Sequence, residues 1–241
     1  MRCWICSLAL ALIGCGGKPA PRETPPSDHA HHGDHAKHDH AKHGSHDHRD
    51  GMPHRFDNAE QWAKVFDDPT RDAWQQPDKV IAALELAPGM TVADVGAGTG
   101  YFSVRIAKQL AGGHVIATDI EPDMVRYLSE RATRENWKNL KAQVTPPDDP
   151  QLPAGAVDRI LVVDVWHHLG DRGPYAKKLA SALKPGGFVA VVDFKLDATQ
   201  GPPKEHRLAP EAIIADLAAA GLSAAVSPTA LPEQYIVIAR R

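Results

Sequence analysis

Beyond residue 15 the chain has no cysteine. Its three, Cys3, Cys6 and Cys15, are confined to the first fifteen of 241 residues. A disulfide, a thiolate nucleophile or a cysteine-ligated zinc is therefore excluded from everything that follows. Cationic excess is missing as well: 27 Lys and Arg stand against 30 Asp and Glu, a formal net charge of −3. The C-terminal part has no long basic block, which disfavours a dedicated DNA or RNA binder. The apolar run from Trp4 to Ile13 is too short to cross a bilayer as a helix, which takes about 20 residues. What remains is room for one sizeable folded domain with appendages.

The appendages come first. Arg2, the apolar run and then Gly14-Cys15 have the order of a secretory signal, with a short apolar h-region behind a positive residue. Leu12-Ile13-Gly14-Cys15 resembles the bacterial lipobox. That resemblance implies a lipoprotein signal peptide over residues 1–15, lipidation of Cys15 and membrane attachment through this N-terminal anchor. Gly16 rather than Asp after the cysteine implies the periplasmic face of the cell envelope, at the outer membrane. An ordinary signal peptide, or a chance apolar start, is the alternative.

Residues 16–55 read as a Pro- and His-rich tether. Pro19, Pro21, Pro25 and Pro26 precede a stretch in which Asp34-His35-Ala36-Lys37-His38 recurs as Asp39-His40-Ala41-Lys42-His43. With no apolar periodicity, such a stretch buries too little surface to offset its ordering entropy. His29, His31, His32, His35, His38, His40, His43, His46 and His48 are candidate ligands for Zn²⁺, Ni²⁺ or Cu²⁺, since several imidazoles can converge in a flexible chain. The plainer alternative is a polar spacer whose histidines only titrate.

From residue 56 the pattern changes. Phe56, Trp62, Phe66 and Trp74 lie among charges and suggest a helical cap over 56–77, interrupted at Pro69 and Pro77, whose Trp62, Phe66, Arg71 and Trp74 are candidates for a lid. Pro77-Asp78 opens a further helix with Val80, Ile81 and Leu84 on one face. Residues 78–241 then alternate. Strands are expected at 91–94, 114–119, 140–144, 158–163, 188–193, 222–226 and 235–239. Helical stripes between them are Phe102/Ile106/Leu110, Val125/Leu128/Ala132, Tyr175/Leu179/Leu183 and Ile213/Ile214/Leu217. This is the signature of an α/β fold, a doubly wound, mostly parallel seven-stranded Rossmann-like sheet with helices on both faces.

The first strand runs into Asp94-Val95-Gly96-Ala97-Gly98-Thr99-Gly100-Tyr101. A dinucleotide loop has the spacing G-x-G-x-x-G and seats a pyrophosphate on the next helix. Here Tyr101 replaces the third glycine, and Asp94 would repel a pyrophosphate while attracting a cation. The stretch resembles the first motif of class I S-adenosylmethionine (SAM)-dependent methyltransferases, whose cofactor carries a sulfonium and an ammonium and no phosphate. The resemblance extends over about residues 78–240. It implies SAM as cofactor, with Asp94, Gly96, Ala97, Gly98 and Gly100 around its methionine end. Asp119, with Ile120 beside it, falls at the ribose position, and Asp148 at the adenine position before Leu152-Pro153, with Asp149 as the fallback.

Methyl transfer needs an aligned acceptor and, where the nucleophile carries a proton, a base. The fourth strand end offers Asp164, Trp166, His167 and His168; the fifth offers Asp193, Lys195 and, beyond a loop, Glu205, His206 and Arg207. His168 is preferred by position and His206 comes next, with Asp164 shared between cofactor and catalysis. Asp164 and Asp193 also resemble the paired carboxylates of metal-dependent O-methyltransferases, without that group's local pattern. The leading expectation is a SAM-dependent methyltransferase acting on a small-molecule or envelope-associated acceptor, with no nucleic-acid partner. The rival is a lipid-anchored metal-binding protein with a non-catalytic methyltransferase-like domain. SAM is made in the cytosol, so the address and the cofactor are in tension.

Overall fold

In the computed structural model residues 58–241 are described; Phe56, Cys15 with its signal-like segment and the histidine tract lie outside the described residues. Seven strands form one sheet: β1 (Thr91–Val95), β2 (His114–Asp119), β3 (Leu140–Val144), β4 (Val157–Val163), β5 (Leu183–Phe194), β6 (Ser223–Val226) and β7 (Gln234–Arg240). Their order is β3-β2-β1-β4-β5-β7-β6. The first five run parallel, while β7 is antiparallel to both β5 and β6. The change of direction follows from the connection. Only the short segment 227–233 joins β6 to β7, and a parallel return requires a crossover of a dozen or more residues.

Period-2 patterning sorts the strand side chains onto two faces. Val92, Leu161, Val163, Phe188, Ala190 and Val192 face one layer, and Ala93, Val95, Ile160, Val162, Val189 and Val191 face the other. Both layers are apolar because helices cover both, as parallel sheets require. The first is covered by α3 (Pro77–Ala82), α4 (Ser103–Gln109) and α5 (Pro122–Arg134), through Ile81, Ile106 and Leu128; the second by α6 (Arg172–Ala182) and α7 (Pro210–Ala219), through Leu179, Ile213 and Leu217. Pro77, Pro122 and Pro210 each stand in the first turn of their helix, where the missing N–H costs nothing.

Two sequence expectations need correction. The buried stripe of α5 is Met124/Leu128/Ala132, with Val125 only half-buried. The i, i+4, i+8 spacing from Met124 centres the stripe on the sheet. Leu183 belongs to β5 rather than to the helix before it, pairing with Val157 ahead of a register shift at Val157/Arg159. The Lys184-Pro185-Gly186-Gly187 segment makes the shift, and a Cβ at Gly187 would lie 2.9 Å from the Lys184 carbonyl oxygen.

The cap consists of α1 (Ala59–Phe66) and α2 (Arg71–Gln75). Asn58 caps α1 by accepting from the Gln61 amide. The Asp123 carboxylate of α5 accepts from the Ala59 amide at 2.6 Å, and Arg131 of α5 pairs with Asp67 at 3.1 Å. These contacts bring the cap across the carboxyl end of β1, on the side where strand order reverses between β1 and β4. Doubly wound sheets bind their ligands at that reversal.

Candidate active site

The glycine loop leaves β1 and is held by β2. The amides of Gly96 and Ala97 both donate to the Thr118 carbonyl, at 2.8 and 3.0 Å. Gly96 adopts φ +71°, and a Cβ there would lie 2.3 Å from Val165 Cγ2, so the close approach of the β4 exit loop admits only glycine. The Gly98 amide donates to Asp119 Oδ2 at 2.7 Å, and the Glu121 amide donates to Oδ1 at 3.0 Å. Two backbone donors thus orient the Asp119 carboxylate at the end of β2. Ile120, next in the chain, is exposed and offers an apolar surface there.

Three carboxylates converge around this loop. Asp94 is 3% exposed; burial pushes its pKa up to about 6, against the hydrogen bond it accepts from Ser103 Oγ and with the Asp119 charge adding to the rise. Asp119 is likewise raised by burial. Asp164 follows β4 in a left-handed conformation, φ +58°. Burial pushes it up to about 7, opposed by Arg71 and reinforced by Asp193. Acids with raised pKa values gathered on one sheet edge mark a candidate functional site, and a cation bound there would favour their ionised forms.

Asp193, at the end of β5, is fully buried. Its Oδ1 accepts from the Phe194 amide at 2.8 Å and lies 2.9 Å from His167 Nδ1, while its Oδ2 has no hydrogen-bond partner. As a carboxylate already accepting from an amide, Asp193 places the His167 proton on Nδ1 and leaves Nε2 as an acceptor. The His168 ring lies beside that of His167, centroids 4.2 Å apart. His206 is exposed in a 3-10 turn (Lys204–His206) beyond β5. The structure therefore brings Asp94, Asp119, Asp164, His167 and Asp193 to one edge, while His206 is exposed beyond β5.

Two other candidates fall outside it. Asp148 turns its side chain to solvent, 84% exposed, with Lys178 Nζ 3.9 Å away, and Asp149 pairs with the same lysine at 3.1 Å. Trp166 is fully buried, and its indole N–H donates to Asp216 Oδ2. It is core beneath the site. Among the described residues no group of three or more His, Cys, Asp or Glu is arranged to hold a metal ion, the pair Asp164 and Asp193 included.

Sequence reading under-weighted the cap. The Phe66 ring lies 3.6 Å from where a Gly98 Cβ would stand, which places α1 against the loop. Arg71 of α2 lies over the Tyr101 ring at 4.2 Å, and Arg105 also packs on it at 3.9 Å. The Tyr101 hydroxyl donates to Asp72. Tyr101, where a dinucleotide loop has glycine, is thus the post on which the cap docks. Gln75 donates to Gln234, which donates to Asp164 Oδ1. The signal in the sequence was the cap's aromatic and Arg content; its target was legible only in three dimensions.

Residues 93–189 match the family model for a methyltransferase domain. Among solved structures, a SAM-dependent methyltransferase from Aquifex aeolicus is similar over 76% of this chain and 98% of its own, with 28% identity and a TM-score of 0.70. Residues 93–189 are thus similar to a methyltransferase domain, and the chain has the fold of SAM-dependent methyltransferases. Among curated proteins, erythromycin 3''-O-methyltransferase of Saccharopolyspora erythraea is 30% identical over 141 residues, 56% of this chain and 45% of that one. Trans-aconitate 2-methyltransferase of Rhodopseudomonas palustris is 32% identical over 136 residues, 56% of this chain and 48% of that one. The chain thus spans less than half the length of these curated relatives. The matched stretch of the methyltransferase domain begins within β1 and ends within β5, so it contains the glycine loop, Asp119, Asp164 and His167 and leaves out the cap.

Proposed function

We propose that the protein is a SAM-dependent methyltransferase acting on a small-molecule or envelope-associated acceptor. The observation that carries this reading is the set of carboxylates, buried Asp94 with half-buried Asp119 and Asp164, around a glycine loop whose Gly96 leaves no room for a side chain. Bound there, SAM supplies an electrophilic methyl group on a positively charged sulfur.

The chain's own residues then have separable tasks. Asp94 and Asp164 offer negative charge to the cationic end of the cofactor, in a low-dielectric setting where that attraction is strong. Asp119, fixed by the Gly98 and Glu121 amides, accepts from ribose hydroxyls. Ile120 gives the adenine an apolar wall. The cap excludes water by laying Phe66 against the loop and Trp74 against Phe194, ring centroids 5.8 Å apart. His167 Nε2 accepts the acceptor's proton, with Asp193 holding the tautomer and stabilising the imidazolium that results. His168 and Asp164 are the neighbouring alternatives for that proton, and His206 is the more distant one.

The N-terminal readings join this proposal. Cys15 is the lipid attachment point, the cell envelope is the location, and residues 16–55 tether the enzyme to the membrane while their histidines bind Zn²⁺, Ni²⁺ or Cu²⁺. The test is transfer of an isotopically labelled methyl group from SAM into a panel of small hydroxyl, amine and carboxylate acceptors and into envelope extract. Label appearing in a product, and lost in Asp94→Ala, supports the reading. No transfer to any fraction while SAM is bound would contradict the catalytic part of it.

A further inference from the structure

The two edges of the sheet are finished differently. β3, at one edge, carries the exposed Lys141, a charge of the kind that blocks strand addition. β6, at the other edge, has no such guard: residues 217–232, which contain it, carry no charged side chain. Its Ser223, Ala225 and Val226 are exposed, Val226 at 47%. The hydrogen-bond phase is set by Ser227, whose amide donates to the Ile236 carbonyl at 2.8 Å. Bonded and non-bonded pairs alternate along an antiparallel ladder. With Ala224 opposite Ala239 and Val226 opposite Val237, the N–H and C=O groups of Ala224 and Val226 therefore point away from β7, to the open edge. The helix beside the strand has the same character. Past Glu211 the exposed residues of α7 are Ala215, Ala218 and Ala219, and Asp216 turns in to the Trp166 indole and Arg172. A surface helix ordinarily shows solvent a charged or polar face; that of α7 is apolar.

Such an edge is complemented by an extended, neutral strand whose own outward groups have the same spacing. The β6 strand of a second copy is that strand, with no charge to repel its counterpart. We propose that β6 is a dimer edge, on which two copies of the chain pair antiparallel about a dyad at Ala225. In that register Ala224 of each copy faces Val226 of the other, each donating to and accepting from its opposite number. Ala225 meets Ala225, and its small side chain admits the close approach of a non-bonded pair. Ala224 packs on the α7 side of the sheet, so Val226, two residues on, faces the same side. Pairing lays it beside Ala224 of the other copy, flanked by the uncharged faces of the two α7 helices. The guarded β3 edge makes the assembly close. Two open edges would go on adding copies, whereas a single self-complementary edge gives a two-fold dimer and stops. Antiparallel pairing also points the carboxyl edges of the two sheets in opposite directions, so both glycine loops stay open.

Sedimentation velocity of the full chain tests this, with EDTA present so that no metal bridges the histidine tracts of two copies. A monomer–dimer equilibrium that shifts with protein concentration is expected. Ala225→Lys sets like charges face to face at the dyad and is expected to weaken dimerisation at least tenfold. Val226→Pro removes an outward N–H that β7 does not use, a position where an edge strand tolerates proline, and is expected to weaken it comparably. Both variants are expected to keep the parent's circular dichroism spectrum, since the altered groups face solvent in the monomer. A parent chain that stays monomeric up to sub-millimolar concentration would overturn the proposal. So would a dimer that both variants leave intact, which would place the contact elsewhere, or an assembly that grows past the dimer.

Discussion

Replacing Asp94 by Asn should make the ligand-free protein more stable, and increasingly so as pH rises. The carboxyl is 3% exposed and its pKa is raised from 3.8 to about 6, chiefly by burial. A raised acid contributes stability that is fully present below its unfolded pKa and lost as pH rises through the folded one. The shift is about two units, each worth about 1.4 kcal/mol, so ionising Asp94 costs the folded state about 3 kcal/mol by pH 8. Asn stays neutral, and its carbonyl oxygen still accepts from Ser103. Part of this is already present at pH 4.5, above the unfolded value, so the stability difference between variant and parent should grow by about 2 kcal/mol in favour of Asn between pH 4.5 and pH 8. Urea titrations followed by the fluorescence of the five tryptophans at pH 4.5, 6 and 8 measure it. The histidine tract is common to both proteins and cancels. A difference that does not change with pH would refute the reasoning, and one that moves toward the parent would mean Asp94 is stabilised as a carboxylate.

Other outcomes follow from the same geometry. Gly100→Ala forces a side chain at φ +90°, 2.2 Å from Leu128 Cδ1. It should cost about 2 kcal/mol or more in urea unfolding. His167→Phe strands the buried Asp193 carboxylate and should destabilise by about 3 kcal/mol, with Asp193→Asn in the same chain recovering most of it. A double-mutant cycle by urea unfolding checks the pair. Deleting residues 29–54 should abolish most retention on immobilised Zn²⁺ or Ni²⁺ and leave S-adenosylhomocysteine affinity unchanged, as calorimetry on both chains would read.

The sheet was legible because its central strands are rich in Val and Ile between glycine and proline punctuation, and helices cover both faces. Leu183 and Val125 were misplaced where periodicity is ambiguous by one turn or one bulge. Asp94 and Asp119 were legible because each ends a strand beside the glycine loop, so local spacing fixes them. The His167–Asp193 pair was not, because it joins the ends of two strands 26 residues apart, and sequence cannot say which of two adjacent histidines turns inward. The Arg71–Asp164 and Gln75–Gln234 contacts were equally hidden. They bridge the cap to β4 and β7, and nothing local in either segment names its partner. Asp148 resembles the adenine-contacting position in spacing, yet in the structure it faces solvent and Lys178.

The most direct measurement is isothermal calorimetry of the full chain with SAM and S-adenosylhomocysteine at pH 8, where Asp94 and Asp164 are ionised. Saturable one-to-one binding to both, weakened at least tenfold by Asp94→Ala, is the expected result. No heat of binding to either ligand at millimolar concentration would contradict the assignment of this site to SAM.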